Sequence, residues 1–154
     1  MDKGIWREIS ALKAIICAAF LLLEGIRDLR RREISPVSCA ILIICGIFLQ
    51  LCRHELSWGS VLTGAMVGIV LLGLSWLSKE SIGYGDGLVM TSIGVLFGGA
   101  KTIQLFCYAL FICGLFSAGV FLLKKAGRKS RIPFIPFLIP AYCVMMVTEV
   151  MGSR

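Results

Sequence analysis

Trp58–Leu77 reads WGSVLTGAMVGIVLLGLSWL, a run of 20 residues without a charged side chain. A helix needs roughly 20 consecutive apolar residues to cross a hydrocarbon core about 30 Å thick. The stretch therefore predicts a transmembrane helix, and with it the fold class. Gly64 and Gly68 stand four apart within it, and Gly94 and Gly98 repeat the step further on. Such GxxxG steps let helix backbones approach closely in lipid. We read both as packing positions inside one bundle rather than as a dimer interface.

Five more apolar segments flank this one: Ile9–Ile26, Pro36–Leu51, Leu88–Gly99, Thr102–Leu123 and Pro133–Met151. The expectation is an all-α polytopic membrane protein of about six transmembrane helices, forming a single membrane-embedded domain over residues 1–154. The bulk numbers agree, with 58% hydrophobic and only 16% charged residues, where a soluble domain carries about a quarter charged. Ala11–Leu23 has the look of a signal-peptide core. Glu24-Gly25-Ile26-Arg27-Asp28 follows it instead of a small-residue cleavage site, so we read a retained first helix. The Leu88–Gly99 segment is short for a span and is expected to begin earlier, near Ile82. Glycine-rich backbone would then enter the membrane, which is tolerated where protein or a water-filled cavity covers it. Pro133, Pro136 and Pro140 are expected to bend or delay the last helix.

The net charge of +7 does not indicate nucleic-acid binding, because the basic residues fall in short loops beside apolar runs. Arg27, Arg30, Arg31, Arg32, Lys79, Lys124, Lys125, Arg128, Lys129 and Arg131 lie in the odd-numbered loops; Arg53, Lys101, Lys3, Arg7 and Arg154 lie in the even loops and tails. The positive-inside rule then places the odd loops in the cytoplasm and both termini outside. The seven cysteines form no CxxC pair and sit in apolar runs as small hydrophobes. His54 stands alone, and no metal or other cofactor is expected.

The chemistry centres on Gly83-Tyr84-Gly85-Asp86-Gly87. A carboxylate at the edge of lipid costs several kcal/mol unless it is used or paired, and the glycines let another chain come close. A second acid, Asp28, ends the first apolar segment, in a loop expected on the same face. Two carboxylates held close cannot both ionise and share a proton. The ionised member takes a proton from an attacking water, and the protonated member stabilises the charge growing on the scissile carbonyl. Blander readings stand beside this one. Arg27, Arg31 or Arg32 would compensate Asp28, and Gly-Asp-Gly is ordinary turn chemistry. Paired membrane acids also serve small proton- or cation-coupled transporters.

Three motifs resemble those of bacterial type IV prepilin peptidases, the GxGD aspartyl proteases. Lys79-Glu80-Ser81-Ile82-Gly83-Tyr84-Gly85-Asp86 is similar to the GxGD signature with its preceding Lys-Glu. Asp28-Leu29-Arg30-Arg31-Arg32-Glu33-Ile34-Ser35 is similar to the first-aspartate motif Asp-x-Arg-x-x-x-Ile-Pro, and Ile132-Pro133-Phe134-Ile135-Pro136-Phe137 to the last-helix motif. The resemblance spans nearly the whole chain. It implies a multi-pass inner-membrane endopeptidase that cuts the basic leader of prepilins or pseudopilins at the cytoplasmic face, in type IV pilus assembly or protein secretion. It makes Asp28 and Asp86 the catalytic pair and has Gly83 and Gly85 shape the loop. Lys79, Glu80 and Tyr84 are expected to support the site or touch substrate, and Glu24, Glu33 and Glu80 to receive the basic leader. The implied partners are a leader-bearing substrate and the bilayer, with no nucleic acid. The chain looks like the short form, without the methyltransferase domain. It departs from the family at Leu88, where lysine is usual, and at Ser35, where proline is usual and Pro36 comes one step later. Leu88 is the feature that points to an alternative, an inactive pilin-assembly subunit. The presenilin-like tyrosine-aspartate motif is not matched, since Arg27 precedes Asp28.

Overall fold

The computed structural model describes residues 3–31, 34–53, 56–77, 83–122 and 134–152. These residues form six helices: α1 Lys3–Arg31, α2 Pro36–Arg53, α3 Trp58–Leu77, α4 Tyr84–Phe97, α5 Gly99–Leu122 and α6 Ile135–Gly152. No strand occurs among them. The chain is all-α, as the sequence led us to expect.

The shortest helix organises the rest. α4 has 14 residues, about 21 Å at 1.5 Å per residue, against a hydrocarbon core of about 30 Å. It is sheathed by α2, α3 and α5, and every residue from Ser92 to Phe97 is buried. Protein therefore shelters its ends where lipid could not satisfy them. The closest sheath is α3, and the two glycine steps make it possible. A Cβ on Gly64 would run into the carbonyl of Gly94, one on Gly94 into that of Gly64, and one on Gly68 into the backbone of Thr91. The helix-packing reading of these glycines is correct.

The α4–α5 connection is a single residue. Gly98 has φ +79°, a left-handed conformation that only glycine adopts without strain. Its N–H donates to Gly94 O at 2.9 Å, and its own carbonyl accepts from the Thr102 hydroxyl at 2.7 Å. One residue thus closes α4 and opens α5. The expected even loop carrying Lys101 does not exist, because Lys101 sits in the first turn of α5. Propensity alone would have put a longer loop there; the Gly98 corner and the Thr102 bond replace it.

Two other boundaries also move. The first helix continues past Ile26 to Arg31, so Asp28 is helical rather than in a loop. Partners for its last turn, given below, carry the helix through this charged stretch. The fourth helix starts at Tyr84, before Leu88 but after Ile82, with Gly83 as its N-cap. α6 begins at Ile135 and runs through Pro140 without ending. Pro133 lies outside the described residues.

Contacts fix the directions. Gly87 meets Leu72 and Gly64 meets Gly94, so α3 and α4 are antiparallel. Gly46 meets Val95, and the Ser92 hydroxyl donates to Cys39 O at 3.2 Å, so α2 and α4 are parallel. Tyr142 OH donates to Ala14 O at 3.1 Å, and Gly25 faces Ile139, so α1 and α6 are antiparallel. Lys101 with Glu149 and Phe116 with Phe137 do the same for α5 and α6. The ends of α1, α3 and α5 and the starts of α2, α4 and α6 therefore gather at one end of the bundle.

The outward surface is apolar, with Ile15, Ile44, Leu62, Phe111 and Leu115 exposed. Water would penalise so continuous a patch, whereas lipid accommodates it. Trp58–Leu77 and Gly99–Val120 are long and apolar enough to cross a membrane, while Pro36–Cys52, Tyr84–Phe97 and Ile135–Met151 are apolar but shorter. On length and apolarity, two of the six expected spans qualify.

Candidate active site

Ser35 and Pro36 start α2, and their chemistry explains the departure from the expected Ile-Pro order. The Ser35 hydroxyl accepts the Ser38 N–H at 3.4 Å, which is N-cap geometry, and Pro36 occupies the first helical position, where its missing N–H costs nothing. The Ser35 N–H donates to Glu24 Oε2 at 3.2 Å. Glu24 Oε1 accepts from Arg27 Nη1 at 3.3 Å, and the same Nη1 donates to the Ser38 hydroxyl at 3.1 Å. Glu24 is fully buried. It binds the last turns of α1 to the first turn of α2, and Asp28 follows one helical turn later on the same face.

This network corrects one expectation. Glu24 does not receive a leader peptide, because its carboxylate is enclosed and engaged. Arg27 turns to Glu24 and Ser38. The signal for Glu24 was present in the sequence, as an acid inside an apolar segment four residues before Asp28. Such residues need a partner, but the partner is the backbone of a residue on the far side of a turn.

The glycine string closes against this corner, and its three glycines do different work. A Cβ on Gly83 would lie 2.8 Å from Asp86 Oδ2, so its absence leaves room for that carboxylate. A Cβ on Gly85 would collide with the Ile34 side chain, whose Cγ1 would be 2.7 Å away. A Cβ on Gly87 would lie 2.7 Å from Leu72 Cγ and 2.9 Å from the Leu72 backbone nitrogen. Ile34, the isoleucine of the first-aspartate motif, therefore sits directly on the middle glycine of the second. Glu24 holds Ser35, the residue next to Ile34, so the two motifs form one packed unit.

Asp86 lies in the first turn of α4, where unsatisfied N–H groups favour an anion. Its N–H donates to Gly83 O at 3.1 Å. Asp28 is 9% exposed, and its carboxylate acts electrostatically on Asp86. The two acids come from distant parts of the chain, near the end of α1 and at the start of α4, and these lie at the same end of the bundle.

Of the other expected site residues, Lys79, Glu80 and Glu33 lie outside the described residues. Tyr84 opens α4 and is 58% exposed. Leu88 packs against the core, where a lysine would bury its charge. In the last motif, Ile135 is fully buried, Phe134 stands edge-on to Phe106 at 6.1 Å and Phe137 lies 5.2 Å from Phe116. That motif anchors α6 to α5.

The model of the type IV leader peptidase family matches residues 15–118, a span that includes Asp28, the Ser35 corner and Asp86. The chain belongs to the type IV leader peptidase family. No curated protein and no solved structure matches it. Membership in the leader peptidase family, together with the two long apolar helices, makes the chain a membrane protein with a leader-peptidase type of function. It also implies prepilin-type substrates in general. The last-helix motif at Ile132–Phe137 lies beyond the matched span.

Proposed function

We propose that the chain is a membrane aspartyl endopeptidase that removes the basic leader of prepilins or pseudopilins, with Asp28 and Asp86 as its catalytic pair. The observation that carries this reading is the convergence of these two carboxylates, from α1 and α4, within electrostatic reach of each other. Like charges so placed resist double ionisation. One member then serves as the base that activates water. The other keeps a proton to donate to the scissile carbonyl oxygen. Gly83 leaves room for the Asp86 carboxylate, and Gly85 lets Ile34 of the first-aspartate motif close against the loop that carries Asp86.

The basic connections leave the bundle from the same end as the acids, so the positive-inside rule puts this end in the cytoplasm, both termini outside and six helices across the membrane. The Arg27–Glu24 pair at 3.3 Å removes one positive charge from the path of a basic leader. Asp28→Asn and Asp86→Asn should each abolish cleavage of a co-reconstituted prepilin, read by mass spectrometry of the mature N-terminus, while the protein stays folded in the membrane. Cleavage near the wild-type rate by either variant would refute the pair.

Leu88 favours one second reading, an inactive subunit that grips pilin helices. Prepilin that binds the wild-type protein yet remains uncut after prolonged incubation would establish it.

A further inference from the structure

α3 carries a tryptophan at each end, and the proposed hydrolysis uses neither. Trp58 is its first residue and Trp76 its last but one. They are 49% and 82% exposed, so neither is enclosed by protein. They stand 18 positions apart with no charged residue between them. That is about 27 Å along the helix at 1.5 Å per residue, close to the hydrocarbon thickness of about 30 Å. Tryptophan favours the headgroup level, where its apolar body and its N–H are both satisfied. A pair at this separation reaches both interfaces of one bilayer.

The start of α3 is held in place. Gln50 near the end of α2 is buried and engages both backbone groups of Leu56. Its Nε2 donates to the Leu56 carbonyl, and its Oε1 accepts the Leu56 N–H at 3.2 Å. The Ser57 hydroxyl accepts the Ser60 N–H at 3.2 Å, an N-cap one residue before Trp58. Further along, Gly64 with Gly94 and Gly68 with Thr91 set α3 backbone against α4 backbone. Helices in such close contact cannot slide past each other without losing it. The height of α3 in the bilayer is therefore passed to α4. Gly87 meets Leu72, so in this antiparallel pair Asp86 is level with Gly73. Trp76 lies three positions beyond, about 5 Å nearer the end of the bundle. Tyr84 opens α4 level with Ser75 and is exposed as well. Two exposed aromatic residues thus stand at one height, and Asp86 lies about one helical turn inside it.

We propose that Trp58 and Trp76 seat α3 at the two lipid interfaces, and that the glycine contacts between α3 and α4 convert this into a fixed depth for Asp86, about one helical turn below the headgroups. The partner is the boundary layer of the bilayer. The ring faces meet the upper acyl chains, and the indole N–H groups donate to headgroup oxygens. Without Trp76 the end of α3 beside Asp86 loses the ring that sets its level. The consequence for cleavage rests on the proposed function; the anchoring itself does not.

The test uses the full chain in phosphatidylcholine vesicles brominated at shallow or deep acyl positions, which quench nearby tryptophan fluorescence. Single-tryptophan proteins keep Trp58 or Trp76, with the other two of Trp6, Trp58 and Trp76 changed to Phe. Both should be quenched more by shallow than by deep bromines. A third protein combines all three changes with Gly73→Trp. Gly73 meets nothing within 4 Å, so the ring enters without repacking, and its quenching should shift toward the deep bromines. Cleavage of a co-reconstituted prepilin should fall about threefold in vesicles for Trp76→Leu, the scale of a displaced membrane anchor. Trp76→Tyr should hold the wild-type rate there. In detergent micelles, which impose no fixed plane, both variants should match the wild type. Deep or absent quenching of Trp76 overturns the proposal, as does a Gly73→Trp signal no deeper than that of Trp76. An equal loss by Trp76→Leu in vesicles and micelles overturns it too, since that marks a packing role. A wild-type protein that cuts no prepilin refutes the proposed function instead, and the quenching still decides the anchoring.

Discussion

The two ends of the bundle handle charge in opposite ways. At one end, Lys101 and Glu149 meet as an ion pair at 2.8 Å, and opposite signs lower each other's energy. At the other, the folded chain sets Asp28 against Asp86, like beside like. Folding alone gives no reason to build the second arrangement. Like charges at a partly buried site are where perturbed acid–base chemistry is found. The comparison teaches where to look: an ion pair is compatible with a structural or binding role, whereas a matched pair of acids calls for chemistry.

The strongest way to break this contrast is to neutralise one acid. Asp28→Asn or Asp86→Asn should lower the rate of leader cleavage by about 10²–10⁴-fold, the contribution of positioned acid–base groups. Unfolding temperature should change little, since asparagine keeps the size of the side chain and its capacity for hydrogen bonds. A next effect concerns the corner that brings the acids together. Gly85→Ala should drive a methyl group into Ile34 and destabilise by about 1–3 kcal/mol, with a loss of cleavage. The double variant Gly85→Ala, Ile34→Ala should recover most of both in the same assays. Failure to recover would mean that Gly85 faces substrate rather than Ile34.

Glu24→Ala should cost about 1–3 kcal/mol, because it leaves the Ser35 N–H without its acceptor. Glu24→Gln keeps an acceptor for that N–H and should retain most of the stability and activity. Denaturation in detergent, run beside the cleavage assay, checks both. The smallest effect is expected at the far end. A double-mutant cycle over Lys101→Met and Glu149→Gln should give a coupling of about 1 kcal/mol or less, since the pair is partly exposed, and leader cleavage should barely change. A large loss of cleavage there would erase the distinction between the two ends.

The helix-forming segments were legible because apolarity over 20 residues is a local property. Among the described residues α3 spans Trp58–Leu77, the extent of the apolar run. The glycine steps were legible for the same reason, since spacing along one helix needs no knowledge of a partner. The end of α1 was not legible. Residues 27–31 are mostly charged and read as a loop; the helix survives there because Glu24 and Ser38 engage Arg27. The Gly98 corner was hidden too, because a glycine in an apolar stretch looks the same whether it packs, turns or does both. Leu88 was noted as a departure, but only its contact with the core identified it as a packing residue.

By itself, the sequence determined the all-helical class, the number and rough extent of the apolar segments, the distribution of basic loops and the identity of the two acids worth watching. Each is written in composition or in spacing within one element. Tertiary structure alone decided that Ile34 rests on Gly85, that Glu24 is enclosed by the start of α2, and that Asp28 and Asp86 lie at the same end of the bundle. These are relations between elements, and their energies arise from which surfaces meet. A one-dimensional pattern specifies what each surface offers, and packing chooses the partner.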